Sequence, residues 1–265
     1  MKELVCAISP CPNDTFAFHG LLGGEVRVEG LELKFEFHDI EELNRRFRAG
    51  KSAFSKVSFA ALRGLKGYEI LSAGAALGSG VGPLLLARAG DLPRVIPPDA
   101  RVLLPGEHTT AALLFQRFHG QAGRIEQVVF SEILPRLARG EADYGVCIHE
   151  GRFTYAQHGL SLIEDLGARW EGPLPLGGLV LARERLPQAL GSFSEGLAQS
   201  LSAAVRRSIL YARGRPQEAL ETMRRHAREQ SDAALWKHVE LYVSDETEGL
   251  SPAGRAAIAA LLEGH

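Results

Sequence analysis

Four short stretches of this 265-residue chain put polar side chains where chemistry could use them. In IHEGRFTY (148–155), His149 follows the apolar run YGVCI, which reads as a strand. It therefore stands at a strand's carboxyl end, where α/β sheets place ligand sites. Imidazole is the usual general base at neutral pH, and Glu150 and Arg152 are close enough in sequence to set its surroundings. Position alone nevertheless favours a surface histidine at a strand end over a catalytic one. A zinc-protease motif is excluded, because Phe153 replaces the second histidine of H-E-x-x-H.

The second stretch, PGEHTTAALL (105–114), places Gly106 and two threonines, Thr109 and Thr110, directly before an apolar helical run. Backbone N–H groups and hydroxyls there could converge on a carboxylate or phosphate. On spacing alone the favoured reading is an ordinary helix start with threonine as its cap. In SKVSFAAL (55–62), Lys56 and Ser58 sit at what reads as another helix start, one a point charge and the other a hydroxyl donor. A solvated lysine and a capping serine explain that pattern equally well. In SPCPNDTF (9–16), Asn13, Asp14 and Thr15 crowd into a constrained loop, which would suit a ligand's polar groups or a rigidly approached N-cap.

Other chemistries lack their residues. The glycines of LGSGVGP (77–83) are followed by neither Lys-Ser/Thr nor a helix with a downstream acid, so they form no nucleotide fingerprint and read as tight packing or hinge access. The other eight histidines (19, 38, 108, 119, 158, 226, 238 and 265) show no metal-ligand spacing with one another or with Cys6, Cys11 and Cys147, which argues against a metal site. Cys11, between two prolines, has no evident base beside it and reads as a buried thiol.

The elements that must carry these residues alternate. A buried strand at 4–9 leads through the prolyl loop into a helix at 16–22, and Leu31, Leu33, Phe35 and Phe37 then alternate with charged residues as a half-wet strand does. Asp39 with Glu42 predicts a capped helix that Gly50 closes. A short helix at 57–65, a strand at 69–73, a glycine-rich loop at 74–82 and a strand at 83–87 follow. The alternation restarts at 101: strand 102–104, helix 109–119, strand 125–130, helix to 139, strand 144–148. This is the pattern of an α/β layer fold.

The segment LGGLVLAR (176–183) echoes GPLLLAR (82–88), and the pair brackets the second alternation. That predicts a discontinuous larger lobe, 1–88 with 180–265, and an inserted smaller lobe, 89–179, joined by two crossing strands. One continuous domain with a helical tail is the alternative. Beyond Pro187 the chain reads as helices broken at 214–216, 231–232 and 251–252, packing back on the first lobe.

Composition sets the class. Hydrophobic residues make up 45% and charged residues 23%, as in an ordinary globular protein. Lys and Arg (30) nearly balance Asp and Glu (32), leaving no global field to draw in nucleic acid or an acidic membrane. The N-terminal run lacks signal-peptide character, no stretch is apolar enough to span a bilayer, and three cysteines suit a reducing compartment better than a disulfide framework. A cytoplasmic protein is expected.

Taken in order, SPCPNDTF, DIEELN, KVS, ALGSGVGPLL, PGEHTTA, IHEGRFTY and DLGARWEGPLPLGG make the chain, from about residue 9 to beyond 240, resemble the 1,4-dihydroxy-6-naphthoate synthases of the futalosine route to menaquinone. The resemblance implies a type II periplasmic-binding-protein-like fold, two α/β lobes around a cleft, and a lyase with no cofactor. That enzyme splits cyclic dehypoxanthinyl futalosine into 1,4-dihydroxy-6-naphthoate and a three-carbon fragment, with a histidine as proton acceptor. It carries that role onto His149 through IHE-RFTY, and substrate contacts onto Lys56, Val57 and Ser58 and onto Thr110 and Ala111. Asn13 and Asp14 of the prolyl loop join them as substrate-binding candidates, and the expected partner is a small-molecule carboxylate. A solute-binding protein and a chorismate dehydratase-like lyase are the rival readings of the same scaffold.

Overall fold

In the computed structural model, which describes residues 2–88, 95–120, 122–149, 151–188, 190, 196–227 and 231–264, the chain opens with β1 (Lys2–Ile8), whose Leu4, Cys6 and Ile8 belong to the core. Pro12 occupies the start of α1 (Pro12–Ala17), where its missing N–H has no bond to make. The short α2 (His19–Leu22) follows. β2 (Leu31–Phe37) runs parallel to β1 with Phe35 beside Cys6. Asp39 caps α3 (Ile40–Arg48) by accepting from the Glu41 N–H at 2.9 Å, and Gly50 takes the left-handed conformation just beyond the helix.

The next elements are β3 (Phe54–Ser58), β4 (Glu69–Ile70), β5 (Ala76–Ser79), β6 (Leu84–Arg88), β7 (Arg101–Leu104), α4 (Thr110–His119), β8 (Arg124–Gln127), α5 (Phe130–Ala138), β9 (Tyr144–Cys147) and α6 (Gly151–Thr154). After them come β10 (Leu160–Asp165), β11 (Pro173–Leu181) and the helices α7 (Leu197–Gly214), α8 (Pro216–His226), α9 (Asp232–Tyr242), α10 (Asp245–Glu248) and α11 (Pro252–Glu263). No helix among the described residues is long and apolar enough to cross a membrane.

The chain divides into two compact units, Met1–Leu77 with Pro175–His265, and Gly78–Leu174. The sheet of the first unit runs β2-β1-β3-β11-β4, with β5 also pairing β11. Strands β1, β2 and β3 are parallel, whereas β11 is antiparallel to both β3 and β4. Helices α7, α8 and α9 supply Leu201, Val205, Ile209, Leu220, Met223, Leu235 and Val239 to the same core as Leu4, Ile8 and Phe54. The C-terminal helices thus pack within the first unit, as their apolar faces predict.

The sheet of the second unit runs β10-β6-β9-β7-β8. Strand β7 is parallel to β8 and β9, while β6 is antiparallel to β9 and β10. Leu84, Leu86, Leu103, Ile133, Leu137 and Cys147 form its core.

Four expectations are corrected. Asn13, Asp14 and Thr15, expected in a loop before a helix at 16–22, lie within α1, because Pro12 starts the helix four residues earlier. The helix expected at 57–65 is instead strand β3 followed by a 3-10 turn at Phe59–Leu62. All five residues of FSKVS are buried, and β3 makes ladders on both sides, with β1 (Phe54 beside Cys6) and β11 (Lys56 beside Leu179). That sheet context overrides any local helical preference. The glycine-rich segment 74–82 is not wholly loop, since β5 lies within it.

The changeover between units falls at Leu77/Gly78 and Leu174/Pro175, inside β5 and β11, rather than near 88 and 180. Strand β6, read from sequence as a crossing strand, is paired on both sides within the second sheet, so its whole apolar run is buried there. Its echo, β11, belongs to the first sheet.

Candidate functional site

In the first unit, β3 and α1 bring three of the expected site residues together. Lys56 donates from Nζ to Asp14 Oδ1 at 2.8 Å and to the Gly74 carbonyl at 3.0 Å. Asp14 also accepts from Asn13 Nδ2 at 3.0 Å and, through Oδ2, from the Ser9 hydroxyl at 2.6 Å. Lys56 is 5% and Asp14 3% exposed, so the solvated-lysine alternative is excluded. A lysine in a central strand keeps its charge out of water only because the carboxylate and carbonyl replace that water.

Ser58 ends the same strand but is held by a different group. Its N–H donates to Asn44 Oδ1 at 2.8 Å, and Asn44 Nδ2 reaches the Ser58 hydroxyl at 3.1 Å. Asn44 is fully buried on α3, so the DIEELN helix grips the N–H and the hydroxyl of Ser58, whose side chain makes no cap hydrogen bond to the turn that follows. Val57 is fully buried, within the ladder to β11 opposite Gly178.

In the second unit, Thr109 caps α4, accepting from the Ala112 N–H at 3.1 Å and donating to the Gly106 carbonyl at 2.8 Å. Thr110 and Ala111 are the first two residues of that helix, both buried. The N-terminal turn of α4 therefore presents its backbone dipole where the sequence placed it.

His149 follows β9 in the second unit. It is half-buried and, among the described residues, is the only non-glycine with positive φ, at 56°. A backbone held there is strained by roughly 1 kcal/mol, and such strain concentrates at functional positions. The Phe130 ring at the start of α5 meets the imidazole edge-to-face with centroids 4.9 Å apart. Behind it, Arg152 on α6 pairs with Asp165 at 2.6 Å, and Asp165 accepts from the N–H groups of Gly82 and Gly167, each at 2.9 Å. Gly82 and Gly167 approach so closely that a Cβ on Gly82 would sit 2.6 Å from Gly167 Cα. The Arg152 N–H in turn donates to the His149 carbonyl at 3.4 Å, which ties this clamp to the turn that carries His149. Glu150 lies outside the described residues.

Sequence reasoning missed Asn44, Asp165 and His238. His238 on α9 is fully buried and hydrogen-bonds Asn13 Oδ1 through Nε2 at 2.9 Å. Nothing at residue 238 signals this contact, which spans 225 positions. The thiols of Cys6, Cys11 and Cys147 are all free and buried. Burial, reinforced by the nearby Asp14 charge, pushes the Cys6 thiol well above its ordinary range, which makes it a poor nucleophile. No group of three His, Cys, Asp or Glu among the described residues is arranged to hold a metal ion.

Comparison with known proteins gives these units a context. A family model described as menaquinone biosynthesis matches residues 4–264. The 1,4-dihydroxy-6-naphtoate synthase of Thermus thermophilus is 41% identical over 266 residues, covering 98% of this chain and 93% of the relative. The enzyme of the same name from Streptomyces coelicolor is 38% identical over 273 residues, covering 98% of this chain and 91% of the relative.

Among solved structures, a protein from Archaeoglobus fulgidus superposes with a TM-score of 0.86 at 30% identity, over 98% of this chain and 96% of that one. The periplasmic aliphatic sulphonate binding protein of Escherichia coli superposes with a TM-score of 0.63 at 10% identity, over 91% of this chain and 79% of that one, a likeness of fold alone. The fold is therefore α/β and periplasmic-binding-protein-like, with a helical C-terminal region. Since the match spans almost the whole chain and the named relatives align end to end, the chain belongs to the menaquinone biosynthesis family.

Proposed function

We propose that this protein is a carbon–carbon lyase that cleaves cyclic dehypoxanthinyl futalosine into 1,4-dihydroxy-6-naphthoate and a three-carbon fragment, with His149 as the general base and no cofactor. The observation that carries the reading is the full-length likeness to two proteins named 1,4-dihydroxy-6-naphtoate synthase. The geometry supports the division of labour. His149 stands at a strand end on a strained, clamped turn, as a positioned base requires.

Lys56 offers an ammonium, and Ser58 a hydroxyl fixed by Asn44, to the polar groups of the substrate. Asp14, itself held by Asn13, keeps that ammonium in place. Thr110 and Ala111, at the start of α4, suit a carboxylate through the helix N-terminus. Removing a proton next to a carbonyl lets the carbon–carbon bond break with its electrons retained in the product. Aromatisation of the naphthoate supplies the driving force, so the step asks for no external oxidant or reductant. The substrate is a small-molecule carboxylate, no nucleic acid or membrane takes part, and the protein works in the cytoplasm.

The test is incubation of the purified protein with cyclic dehypoxanthinyl futalosine, with no cofactor or metal added, and detection of 1,4-dihydroxy-6-naphthoate by mass spectrometry. Product formation is expected. Binding of the substrate without turnover would replace the enzyme by a solute-binding protein, and turnover of chorismate instead would make it a dehydratase.

A further inference from the structure

His238 joins the first unit's polar cluster, and the proposed chemistry leaves it unused. Its ring is fully buried, tilted against Tyr242 with centroids 4.8 Å apart, and its Nε2 lies 2.9 Å from Asn13 Oδ1. The other end of the Asn13 amide, Nδ2, is 3.0 Å from Asp14 Oδ1. An ionised carboxylate only accepts, so the amide nitrogen must face Asp14 and the amide oxygen must face His238. The imidazole therefore donates, with its proton on Nε2.

The chain of contacts continues to a charge with spare capacity. Asp14 Oδ1 accepts from Lys56 Nζ at 2.8 Å, and Lys56 gives a second N–H to the Gly74 carbonyl at 3.0 Å. Among the described residues these are its two acceptors, so one of the three ammonium protons is left for a ligand oxygen. The direction of that third proton is set by where Asp14 sits. Asp14 is held by Ser9 on Oδ2 and by Asn13 on Oδ1.

We propose that His238 is a positioning residue for substrate binding: its Nε2–H fixes the Asn13 amide, Asn13 fixes Asp14, and Asp14 aims the Lys56 ammonium at a polar oxygen of the substrate. This rests on the reading above that Lys56 contacts substrate. It differs from a packing role, which any ring or branched apolar side chain of similar size would fill.

The experiment compares the parent with His238→Leu and His238→Gln. Glutamine reaches with an amide N–H to the position of Nε2, whereas leucine keeps bulk and loses the donor. With cyclic dehypoxanthinyl futalosine, His238→Leu should raise KM about tenfold or more while kcat stays within about twofold, and His238→Gln should return KM close to the parent value. A leucine variant that melts lower yet keeps the parent KM overturns the proposal in favour of packing.

Two spectroscopic readouts need no turnover. In ¹⁵N-histidine-labelled parent protein the His238 ring should carry its proton on Nε2, and a ring protonated on Nδ1 alone overturns the proposal even if the leucine variant fails to fold. The buried Lys56 ammonium resonance should move in His238→Leu and return in His238→Gln; a resonance that does not move overturns it. If the parent fails to turn over the substrate, the lyase reading falls, and these two signals still decide whether His238 sets the lysine.

Discussion

The Lys56 ammonium lies 2.8 Å from Asp14 Oδ1 with the two side chains only 7% and 4% exposed, so a strand in the middle of a sheet carries a charge whose counter-ion comes from the first helix of the chain. Burying two charges costs several kcal/mol apiece, which their mutual attraction and their other hydrogen bonds offset. Removing one partner should therefore hurt more than neutralising both. Lys56→Met should destabilise the protein by about 3–5 kcal/mol, and Lys56→Met combined with Asp14→Asn by clearly less. Urea unfolding of Lys56→Met, Asp14→Asn and the double variant checks this, and a double variant as unstable as the sum of the two singles would show that the two side chains do not couple.

His19 gives the first unit a dependence on pH. Its Nδ1 lies 2.9 Å from the Thr222 hydroxyl, linking α2 to α8, and burial lowers its pKa from the ordinary 6.5. Above that value both folded and unfolded forms are neutral and stability is at its full level. As pH falls through it, the unfolded chain takes up a proton that the folded chain resists, so stability drops. His226, lowered by burial and then by Arg225, acts with the same sign. His19→Asn, which keeps an amide near Nδ1, should lose part of the fall in urea midpoint between about pH 7.5 and 5 that the parent shows. An unchanged slope would assign the effect to other groups.

The close approach of Gly82 to Gly167 leaves no room for a methyl group on either. A Cβ on Gly82 would meet Gly167 N at 2.8 Å as well as its Cα, and both neighbours are backbone that cannot swing aside. Gly82→Ala should cost about 1–3 kcal/mol and disturb the Asp165 clamp, whereas Gly214→Ala, with nothing within 4 Å, should be neutral or slightly stabilising at the end of α7. Thermal melts of the two variants provide the comparison. Equal melting temperatures would mean that the two loops separate at little cost.

The sequence made much of this legible where the signal is local. The strand at Leu31–Phe37, the Asp39 cap, the Thr109 cap and the breaks before Pro216, Asp232 and Pro252 all depend on neighbours within a few residues, and each is found. The misses are tertiary. Lys56 reads equally well as a solvated charge or a ligand-facing one until β1 and β11 close around β3, and β10 carries no local strand signature because its SLIED run (161–165) mixes apolar and acidic residues, the acids being taken up by His119, Arg152 and Arg169. The left-handed backbone of His149 and the hold of His238 on Asn13 likewise exist only after folding.

The central claim is that His149 removes a proton in the cleavage of cyclic dehypoxanthinyl futalosine, and the most direct measurement is kcat for the parent and for His149→Ala at saturating substrate, with circular dichroism showing both folded. A positioned general base contributes about 10²–10⁴-fold. The account predicts a loss of kcat on that scale in the variant with its melting temperature held. Turnover by His149→Ala at the parent rate would contradict it.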